Sequence, residues 1–582
     1  MCIKTSTAQP IPTYELIDWS KAGLFEVINE PINMVSVMDF GAFADGIHDD
    51  SEAVSEALLA LNEEEGILFF PPGTYLLTQT IYAYNGLIIR GAGSEYTHLQ
   101  FLLSSDHEHA ISAVGSVSEQ MATLLSGMDV GSHCLVVDNA DEFLSGDQIE
   151  LQQENGDWDT HPALWAENSV GQLFEVENIV GNQLYLSDAL RIDFELEKNP
   201  IILKTDPIQN VKIENLKIER LDEPDLGGGK NIFLSYVKNI QISGVESVKS
   251  QGSHIYITHS SHVFMYGNYL HDAFLFDGTD TRGYGICLNM HSGNCLIENN
   301  IFKNLRHAMI VKTGANGNVF TYNYSREPHR SEPISNYSGD ISVHGHYAFA
   351  NLFEENIVQN IIIDHYWGPG GPYNTFFRNR TELFGIIMTS DNEMETQTQN
   401  FIGNELLGNF PFGLYLLTGS NHFEYANNDG GNCIPGGTSD LEDISYFYEE
   451  APEFIEGEFP GIGYPNNLNE HSIPAKERWL YGDIMTVEWQ EETVGEEPME
   501  KESMNIRLIQ NPVSSRLVLE VNKQMEQADF QIYSIDGQVV YSGQLSLQNS
   551  RVQINTRHLS PGYYILSIGL LHNRKSISFV KH

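Results

Sequence analysis

The hexapeptide NVFTYN (residues 318–323) belongs to a phrase that recurs along the middle of the chain and indicates its fold. The phrase has the form asparagine, apolar, any residue, apolar, any residue, asparagine. Successive copies start 22 to 33 residues apart, and a β-rich unit that repeats about every 22 to 25 residues is typical of a β-solenoid. The copies are NVKIEN (210–215), NIQISG (239–244), HVFMYG (262–267), NCLIEN (294–299), NVFTYN (318–323), NLFEEN (351–356), NTFFRN (374–379), QNFIGN (399–404) and NHFEYA (421–426).

The last asparagine of the phrase predicts a structural ladder rather than a catalytic group. Stacked in successive coils, these amides can bond to the turn backbone and to each other, which avoids the cost of an unpaired buried amide, about 1–3 kcal/mol. The predicted members are Asn215, Asn299, Asn323, Asn356, Asn379 and Asn404.

Composition excludes several classes of protein. The 582 residues are 41% hydrophobic, enough for a sizeable core. Thirty-one basic against 79 acidic residues give a net charge of −48, which argues against nucleic-acid binding and against a polybasic membrane anchor. The sequence contains no run of 18 apolar residues, so no transmembrane helix is predicted. The five cysteines contain no C-x-x-C pair, so we expect buried thiols rather than a zinc ribbon.

The stretch DFGAFADGIHDDSEAV…GILFFPPGTY (39–75) resembles the N-terminal segment of the pectate-lyase-like superfamily of right-handed parallel β-helices. In that superfamily the segment caps the helix and starts its first coils. The resemblance implies that Asp45, Asp49 and Asp50 are structural. It also implies an enzyme, or a binding protein, that acts on polysaccharides.

The C-terminal phrases QNPVSSRLVLEV (510–521), FQIYSIDGQVVYSG (530–543) and HLSPGYYILSI (558–568) resemble the sorting domain of type IX secretion substrates. The resemblance implies export across the outer membrane of a Bacteroidota-type bacterium, with the type IX machinery as partner. We therefore expect a secreted or cell-surface protein whose signal peptide is missing from the sequence.

These patterns predict an all-β protein. The expected fold is a right-handed parallel β-helix with a small inserted β-domain and a C-terminal β-sandwich sorting domain. The expected parts are an N-terminal extension (1–34), a cap with the first coils (35–107), the inserted β-domain (108–205), the β-helix core with a groove (206–430), a covering segment with an acidic linker (431–503) and the sorting domain (504–582).

Polar residues alternate with apolar ones in the strand before each phrase, so they should face outward from the helix. The outward column contains His259, His291, Lys312, His344, His346 and Asp364. A column rich in nitrogen bases on an acidic protein favours an anionic polysaccharide as substrate. It also suits β-elimination at a uronic acid, which needs a base at C5 and a positive charge on the carboxylate.

We assign roles on this basis. Lys312 or His344 is the expected base, Arg306 and His307 stabilise charge or clamp substrate, and Asp340 and Asp364 orient them or bind Ca²⁺. No organic cofactor is expected. The loops 270–285 and 325–340 should form the walls of the groove. Further substrate contacts are expected from Tyr366, Arg282 and Arg378, and a calcium site from Asp272, Asp277 and Asp280.

Three functions remain open at this point. The first is a lyase that cleaves an anionic polysaccharide, uronate-containing or sulfated. The second is a glycoside hydrolase on the same scaffold, with Asp340 and Asp364 as its carboxylate pair. The third is a glycan-binding or adhesive solenoid without activity, because a fold does not fix a function.

Overall fold

The computed structural model describes most of the chain, and its contacts divide the chain into two compact units: Met1–Phe70 with Thr74–Trp489, and Pro71–Gly73 with Gln490–His582. The described residues are 11–12, 17–105, 107–222, 228–277, 281–329, 339–389, 392–409, 411–455, 457–489, 506–508, 513–521, 525–534, 539–547, 551–570 and 573–581.

The first unit is a parallel β-helix, which confirms the predicted fold. The face that carries the repeated phrase, here called the ladder face, is one sheet of twelve strands. Eleven parallel pairings join successive coils on this face, so the repeat in the sequence is one coil of the helix. Its strands are Met34–Ser36, Gly66–Phe70, Leu87–Gly91, Ile208–Glu214, Val237–Ser243, Ser261–Tyr266, Leu296–Glu298, Val319–Thr321, Leu352–Glu354, Thr375–Phe377, Asn400–Ile402 and Phe423–Tyr425.

Two further faces complete each coil, and the long strands Ile357–Asp364 and Arg380–Met388 span both. The site face contains Ile81–Tyr82, Ile111–Val114, Ile232–Ser235, Ser253–Thr258, Tyr284–Asn289, His307–Val311, Ile341–His344 and Leu414–Leu416. The third face contains Asp45–Asp49, Gly73–Leu77, Thr97–Phe101, Lys217–Arg220, Glu246–Ser250, Tyr269–Ala273, Ile301–Lys303, Tyr324–Arg326, Glu405–Leu406 and Asn427–Asp429, followed by the antiparallel Asn432–Ile434.

Inward side chains stack in columns that run through the helix. On the site face, for example, Ile286, Met309, Ile341, Ile361 and Ile386 pair in register across five coils and are all buried. A column of this kind fixes the register, because a slip of one residue would move every apolar side chain to the outer side. The outward rows of the site face are therefore fixed as well.

The asparagine ladder exists, but two of its predicted members lie elsewhere. Asn215 and Asn299 adopt left-handed backbone at the turn, with φ of 57° and 54°. Asn300, the residue after Asn299, is level with Asn323 and joins the ladder in its place, and the amides of successive coils bond at 2.9–3.1 Å. Its members are Asn268, Asn300, Asn323, Asn356, Asn379, Asn404 and Asn427.

A second ladder stands at the other end of the phrase. The amides of Asn318, Asn351 and Asn374 bond in sequence at 2.8 and 2.9 Å, and Asn374 continues to Gln399 at 3.0 Å. The two ladders bracket each strand of the ladder face, so both asparagines of the phrase are structural there.

A closed six-stranded antiparallel barrel interrupts the helix between coils. It lies within the segment predicted as an inserted β-domain and has its own buried apolar core. Its strands are Ser116–Ser126, Cys134–Val137, Gln148–Gln153, Val170–Val180, Gln183–Leu186 and Ile201–Asp206. Short 3₁₀ helices lie at Ala140–Glu142, Leu164–Ala166 and Leu196–Lys198.

The helix Ser51–Leu61 caps the first coils. It follows the 3₁₀ turn Val37–Phe40 and adds Val54 and Ala57 to the main core. The Asp50 carboxylate accepts the backbone amides of Phe43 and Ala44, at 2.6 and 3.2 Å, and so holds the preceding loop.

The ladder face is covered on its outer side by residues 440–455 and 457–489, here called the covering segment, which contains the helix Pro474–Tyr481. No helix in the described residues is long and apolar enough to cross a membrane. The second unit forms two antiparallel sheets, from Ile506–Leu508, Arg516–Val521 and Arg551–Asn555, and from Met525–Ser534, Val539–Leu547, Gly562–Leu570 and Asn573–Lys581.

Candidate active site

Lys312, His344 and Asp364 form one outward row across three successive coils of the site face. His344 lies opposite Asp364 in the parallel ladder of strands. Val311 pairs with Val343 and faces the core, so Lys312, the residue that follows, continues the row beside His344. Neighbouring strands are about 4.8 Å apart. The three side chains therefore share one stretch of surface.

His344 and Asp364 are in direct contact, with His344 Nδ1 2.5 Å from Asp364 Oδ2. Burial opposes ionisation of the carboxyl, but the charge of His344, its hydrogen bond and the backbone amide of Tyr366 hold the pKa of Asp364 at about 2. Because Nδ1 lies against a carboxylate, we expect the neutral ring to carry its proton on Nδ1 and to leave Nε2 as the nitrogen that can accept one. Within the described residues, no group hydrogen-bonds to Nε2.

Lys312 has an aromatic neighbour and no acidic one. Its Nζ lies 5.0 Å from the centre of the Trp165 ring, in a cation–π contact. Across the part of the chain that the structure describes, no carboxylate oxygen lies within 4.0 Å of this ammonium. Lys312 is therefore a lysine without a carboxylate partner in a protein with a net charge of −48.

A loop of the barrel forms a roof over the row. Trp165 lies on the 3₁₀ helix Leu164–Ala166, with its ring 5.7 Å from that of Trp367. His161 stacks on Tyr366 at 5.5 Å. Trp165 and Tyr366 are 47% and 50% exposed. We call the space between the row and these aromatic side chains the groove.

His307 lies behind the row and is neutral. Its ring centre is 5.8 Å from that of His344, and its Nδ1 meets the backbone of Gly339 at 3.2 Å. Burial, with the charges of Arg306 and His344, lowers its pKa well below the usual value. Its predicted role in stabilising charge or clamping substrate stays a prediction. Arg306 lies 6.0 Å from the centre of the Tyr284 ring, in a cation–π contact.

Asp340 does not join the groove. Its Oδ1 accepts from the Ser325 hydroxyl at 2.7 Å, and its Oδ2 accepts from the backbone amide of Gln359 at 2.6 Å. The side chain is buried, and burial raises its pKa to about 6. Both oxygens are engaged within the fold, so the predicted role in orienting a base or binding calcium is wrong.

Three histidines of the predicted column are covered by the barrel. His346 is fully buried at 4.8 Å from the Trp165 ring, and burial lowers its pKa to about 4. His259 and His291 both contact Glu150 of the barrel, at 2.7 and 2.6 Å. His291 has no exposed surface. The prediction that His291 and His346 face substrate is therefore wrong, because the inserted domain covers their outer side.

The remaining predicted contacts lie in different places. Arg378 is on the ladder face, where it donates to the carbonyls of Asp443, Ile462 and Tyr464, so its predicted role in substrate binding is contradicted. Arg282 donates to the Asp277 carbonyl at 3.0 Å, in the loop before the site face. Residues 330–338 of the second predicted wall lie outside the described residues.

The predicted calcium ligands Asp272, Asp277 and Asp280 are only partly described by the structure. Asp272 accepts from His271 at 2.8 Å and from Asn304 at 2.6 Å, which engages both of its oxygens. Asp280 lies outside the described residues. Asp340 and Asp364 are held by the contacts described above. Because one of the three predicted ligands is not described, the calcium site stays a prediction.

The aromatic residues of the roof were not among the site residues predicted from the sequence. Two of the six tryptophans stand within eight residues in the segment WDTHPALW (158–165). Paired tryptophans in a polar loop of an inserted domain are a signal for a ligand contact, because large apolar side chains are rarely left exposed without a function. Nothing in the sequence shows which coil this loop covers.

Two family models match the ends of the chain. Residues 34–125 match "Rhamnogalacturonase A/epimerase, pectate lyase-like", and residues 510–581 match "Secretion system C-terminal sorting domain". The chain thus carries a pectate-lyase-like segment and a type IX sorting domain. The sorting domain indicates a secreted or cell-surface protein, which confirms the predicted localisation.

Curated proteins match only short stretches. Plasmin and fibronectin-binding protein A of Streptococcus pneumoniae is 29% identical over 105 residues, 18% of this chain and 11% of that protein. The capsule K1-specific depolymerase of Klebsiella phage K64-1 is 30% identical over 111 residues, 19% of this chain and 12% of that protein. The chain therefore spans about a tenth of the length of these relatives.

Several solved structures are similar in fold. The tailspike of Pseudomonas phage phi297 has a TM-score of 0.48 and 12% identity, over 68% of this chain and 66% of that one. The mannuronan C-5 epimerase AlgE4 A-module of Azotobacter vinelandii has a TM-score of 0.37 and 12% identity, over 69% and 93%. The exopolygalacturonase of Thermotoga maritima has a TM-score of 0.37 and 11% identity, over 69% of this chain and 93% of that one.

Proposed function

We propose that this protein is a secreted lyase that binds an anionic, uronate-containing polysaccharide in the groove and cleaves it by β-elimination. The observation that carries the proposal is the row of Lys312, His344 and Asp364. It places an ammonium without a carboxylate partner beside an imidazole whose Nε2 is open. These are the two groups that removal of a proton next to a carboxylate requires.

In this scheme His344 Nε2 takes the proton from C5 of the uronic acid. The electrons of the C5–H bond first spread into the carboxylate and then form the C4=C5 double bond, while the C4–O bond breaks. The leaving oxygen takes a proton from solvent or from an acid in the groove. Asp364 holds His344 in the tautomer that leaves Nε2 unprotonated, so Asp364 is a positioning residue.

Lys312 stabilises the charge that develops. Removal of the C5 proton turns the carboxylate into an enolate-like dianion, and a nearby ammonium lowers the energy of that state more than it lowers that of the substrate. Trp165 beside Lys312 offers an apolar face to a sugar ring. One matching family model is described as rhamnogalacturonase A/epimerase, and one relative is named a capsule depolymerase. Both names support a polysaccharide as substrate.

Hydrolysis is the less favoured chemistry. It requires two carboxyl groups about 5–5.5 Å or 6.5–9.5 Å apart. Asp340 lies next to Ile341, which pairs with Ile361, whereas Asp364 pairs with His344. The two residues are therefore offset by four positions along the strands, about 13 Å. Asp340 is also buried and fully hydrogen-bonded.

The test incubates the full-length protein with alginate, pectate, glycosaminoglycans, ulvan and sulfated galactans. A lyase produces unsaturated ends that absorb near 235 nm, and a hydrolase produces reducing ends without that absorbance. Repeating the reaction in D₂O adds a direct measure of proton abstraction, because C5 exchange is seen by NMR even where no chain is cut. Exchange without cleavage would identify an epimerase, and binding without either signal an adhesin.

Variants locate the chemistry. We expect Lys312→Ala and His344→Ala to lower the rate by about 10²-fold or more. The matched control is Lys303→Ala, which removes a lysine from the third face, where it lies 3.7 Å from Glu327. Full activity in both groove variants would overturn the assignment, as would hydrolytic products from the native protein.

A further inference from the structure

Beneath the barrel, three side chains with metal-binding atoms meet outside the groove. His259 and His291 come from turns at the ends of successive strands of the site face, and Glu150 comes from the barrel strand Gln148–Gln153. Glu150 Oε1 lies 2.7 Å from His259 Nδ1 and 2.6 Å from His291 Nδ1. The ligand atoms all lie within 4.8 Å of one another, and this is the one such group of three among the described residues.

The hydrogen bonds of His291 require a proton or a metal ion between it and Glu150. His291 Nε2 lies 2.7 Å from the carbonyl oxygen of Asn168. A carbonyl oxygen only accepts, so Nε2 carries a hydrogen and donates it. In the neutral ring, Nδ1 then presents a lone pair to a carboxylate oxygen, which also only accepts. Two such atoms approach to 2.6 Å only with a proton or a metal ion between them.

Burial makes this arrangement costly without such an ion. Glu150 is 1% exposed and His291 is 0% exposed, so bulk water does not solvate either group. A buried carboxylate is stable only when it is paired or coordinates a metal. His259 approaches the same oxygen, and its ring stacks on Tyr236 at 4.6 Å, which fixes the direction of its Nδ1.

We propose that Glu150, His259 and His291 bind a divalent transition-metal ion of the Zn²⁺ class. Two imidazole nitrogens and one carboxylate oxygen are a donor set that zinc takes in proteins, with water in the fourth position. The Asn168 carbonyl on His291 Nε2 is the outer partner that orients a metal-binding histidine. Tetrahedral zinc holds its donor atoms about 3.3 Å apart, so the two short contacts open by about 0.6 Å when the ion binds.

The ion would join the barrel to two coils of the helix. Asn168 belongs to the loop that carries Trp165 into the groove, so the same site fixes the base of the roof. The role is structural, because the three ligands lie under the barrel rather than in the groove. Metal binding is measured without substrate, and its outcome is therefore independent of the proposed lyase activity.

The experiment treats the full-length protein with EDTA, removes the chelator and titrates the protein with Zn²⁺ by calorimetry. We expect one equivalent to bind and the Tm to rise. Co²⁺ in place of Zn²⁺ should give the visible absorption of a tetrahedral nitrogen and oxygen site. Glu150→Gln and His259→Gln should each weaken Zn²⁺ binding by at least about 100-fold.

His346→Gln is the matched control, because His346 is another buried histidine under the barrel that is not in the group. It should keep the bound zinc. His259 is the more exposed of the two histidine ligands, so His259→Gln tests the site even if Glu150→Gln does not fold. A native protein whose Tm is indifferent to both Zn²⁺ and EDTA would overturn the proposal and identify an imidazolium–carboxylate pair. Equal zinc binding in the native protein and both ligand variants would overturn it too.

Discussion

Single residues of the groove differ in what each one contributes, and Asp364 shows this most clearly. Its carboxylate touches His344 and no other charged side chain in the contacts described. Its effect on catalysis should therefore pass through His344. Lys312, by contrast, acts on the substrate directly.

Asp364→Asn is expected to lower kcat/KM by about 10²-fold with a small change in KM, because asparagine keeps the shape but no longer fixes the tautomer of His344. Steady-state kinetics on the polymer found in the panel measure the change. Asp340→Asn is the matched control, since that buried carboxyl lies outside the groove, and it should alter the Tm more than kcat/KM. Unchanged kcat/KM in Asp364→Asn would separate Asp364 from the reaction.

At the scale of single residues, the sequence predicted the direction of side chains in regular strands but not the positions of residues at turns. Alternation placed Lys312, His344 and Asp364 on the outer side, where the structure brings them together. Asn299 was misplaced because two asparagines follow each other, and the phrase does not show which of them takes the left-handed turn. The burial of His291 could not be predicted, since its cover comes from residues more than 100 positions away in the chain.

The ladders are the elements that stabilise the helix between coils. Asn356 Oδ1 accepts from the amide nitrogen and the side chain of Asn323, and its Nδ2 donates to the Phe320 carbonyl and to Asn379. Asn356→Ala is expected to lower the free energy of unfolding by at least about 2 kcal/mol, because several buried groups lose partners. Denaturant titration of the full-length protein measures this value.

Asn215→Gly is the comparison for that experiment. Asn215 has left-handed backbone, which glycine also adopts, and its Oδ1 has no partner among the described residues. The change should cost less than about 0.5 kcal/mol. Equal losses in the two variants would mean that the ladder bonds do not carry the stability.

The covering segment meets the ladder face at buried carboxyl groups. Tyr448 donates to Glu298, the backbone amide of Tyr446 donates to Glu354 at 2.8 Å, and the amide of Ile462 donates to Glu355 at 3.2 Å. Burial raises the pKa of Glu298 and Glu354 to about 7 and that of Glu355 to about 8. The folded protein therefore holds protons here that the unfolded chain releases.

The contribution of these three carboxyl groups to stability should consequently fall as the pH rises from about 5 to about 8, because over this range they hold protons in the folded state that they release in the unfolded state. Glu355→Gln cannot ionise and should reduce the loss of Tm between pH 6 and pH 8.5. The control is Glu449→Gln, an exposed position of the same segment, which should follow the native curve. A Glu355→Gln curve parallel to the native one would contradict the role of this carboxyl group.

At the scale of the whole first unit, the barrel completes the groove that the helix begins. The helix supplies the row of charged side chains, and the barrel supplies Trp165 and His161. Removal of one aromatic face should weaken substrate binding without touching the base. Because the helix carries the base and the barrel carries the aromatic side chains, a change in the barrel should alter KM and leave kcat nearly constant.

Trp165→Ala is expected to raise KM about tenfold, equivalent to about 1.4 kcal/mol of binding energy, while kcat changes little. The measurement is a full substrate titration on the polymer identified in the panel. Trp489→Ala serves as the control, because this tryptophan packs against Phe264 and Tyr266 on the ladder face, outside the groove. A fall in kcat with constant KM would show that Trp165 positions Lys312 rather than the sugar.

The sequence alone determined the parallel β-helix, its coil length, the sorting domain and the row of Lys312, His344 and Asp364. The helix, its coil length and the row follow from a repeat and from strand alternation, which act between residues close in sequence or one coil apart. The sorting domain was identified by its resemblance to a known family. Only the tertiary structure decided which outward histidines stay open. It also brought Trp165 to Lys312 and Glu150 to His259 and His291. The physical reason is that docking of the barrel depends on surfaces that exist only after each part has folded, and no local pattern encodes which coil a folded insert will cover.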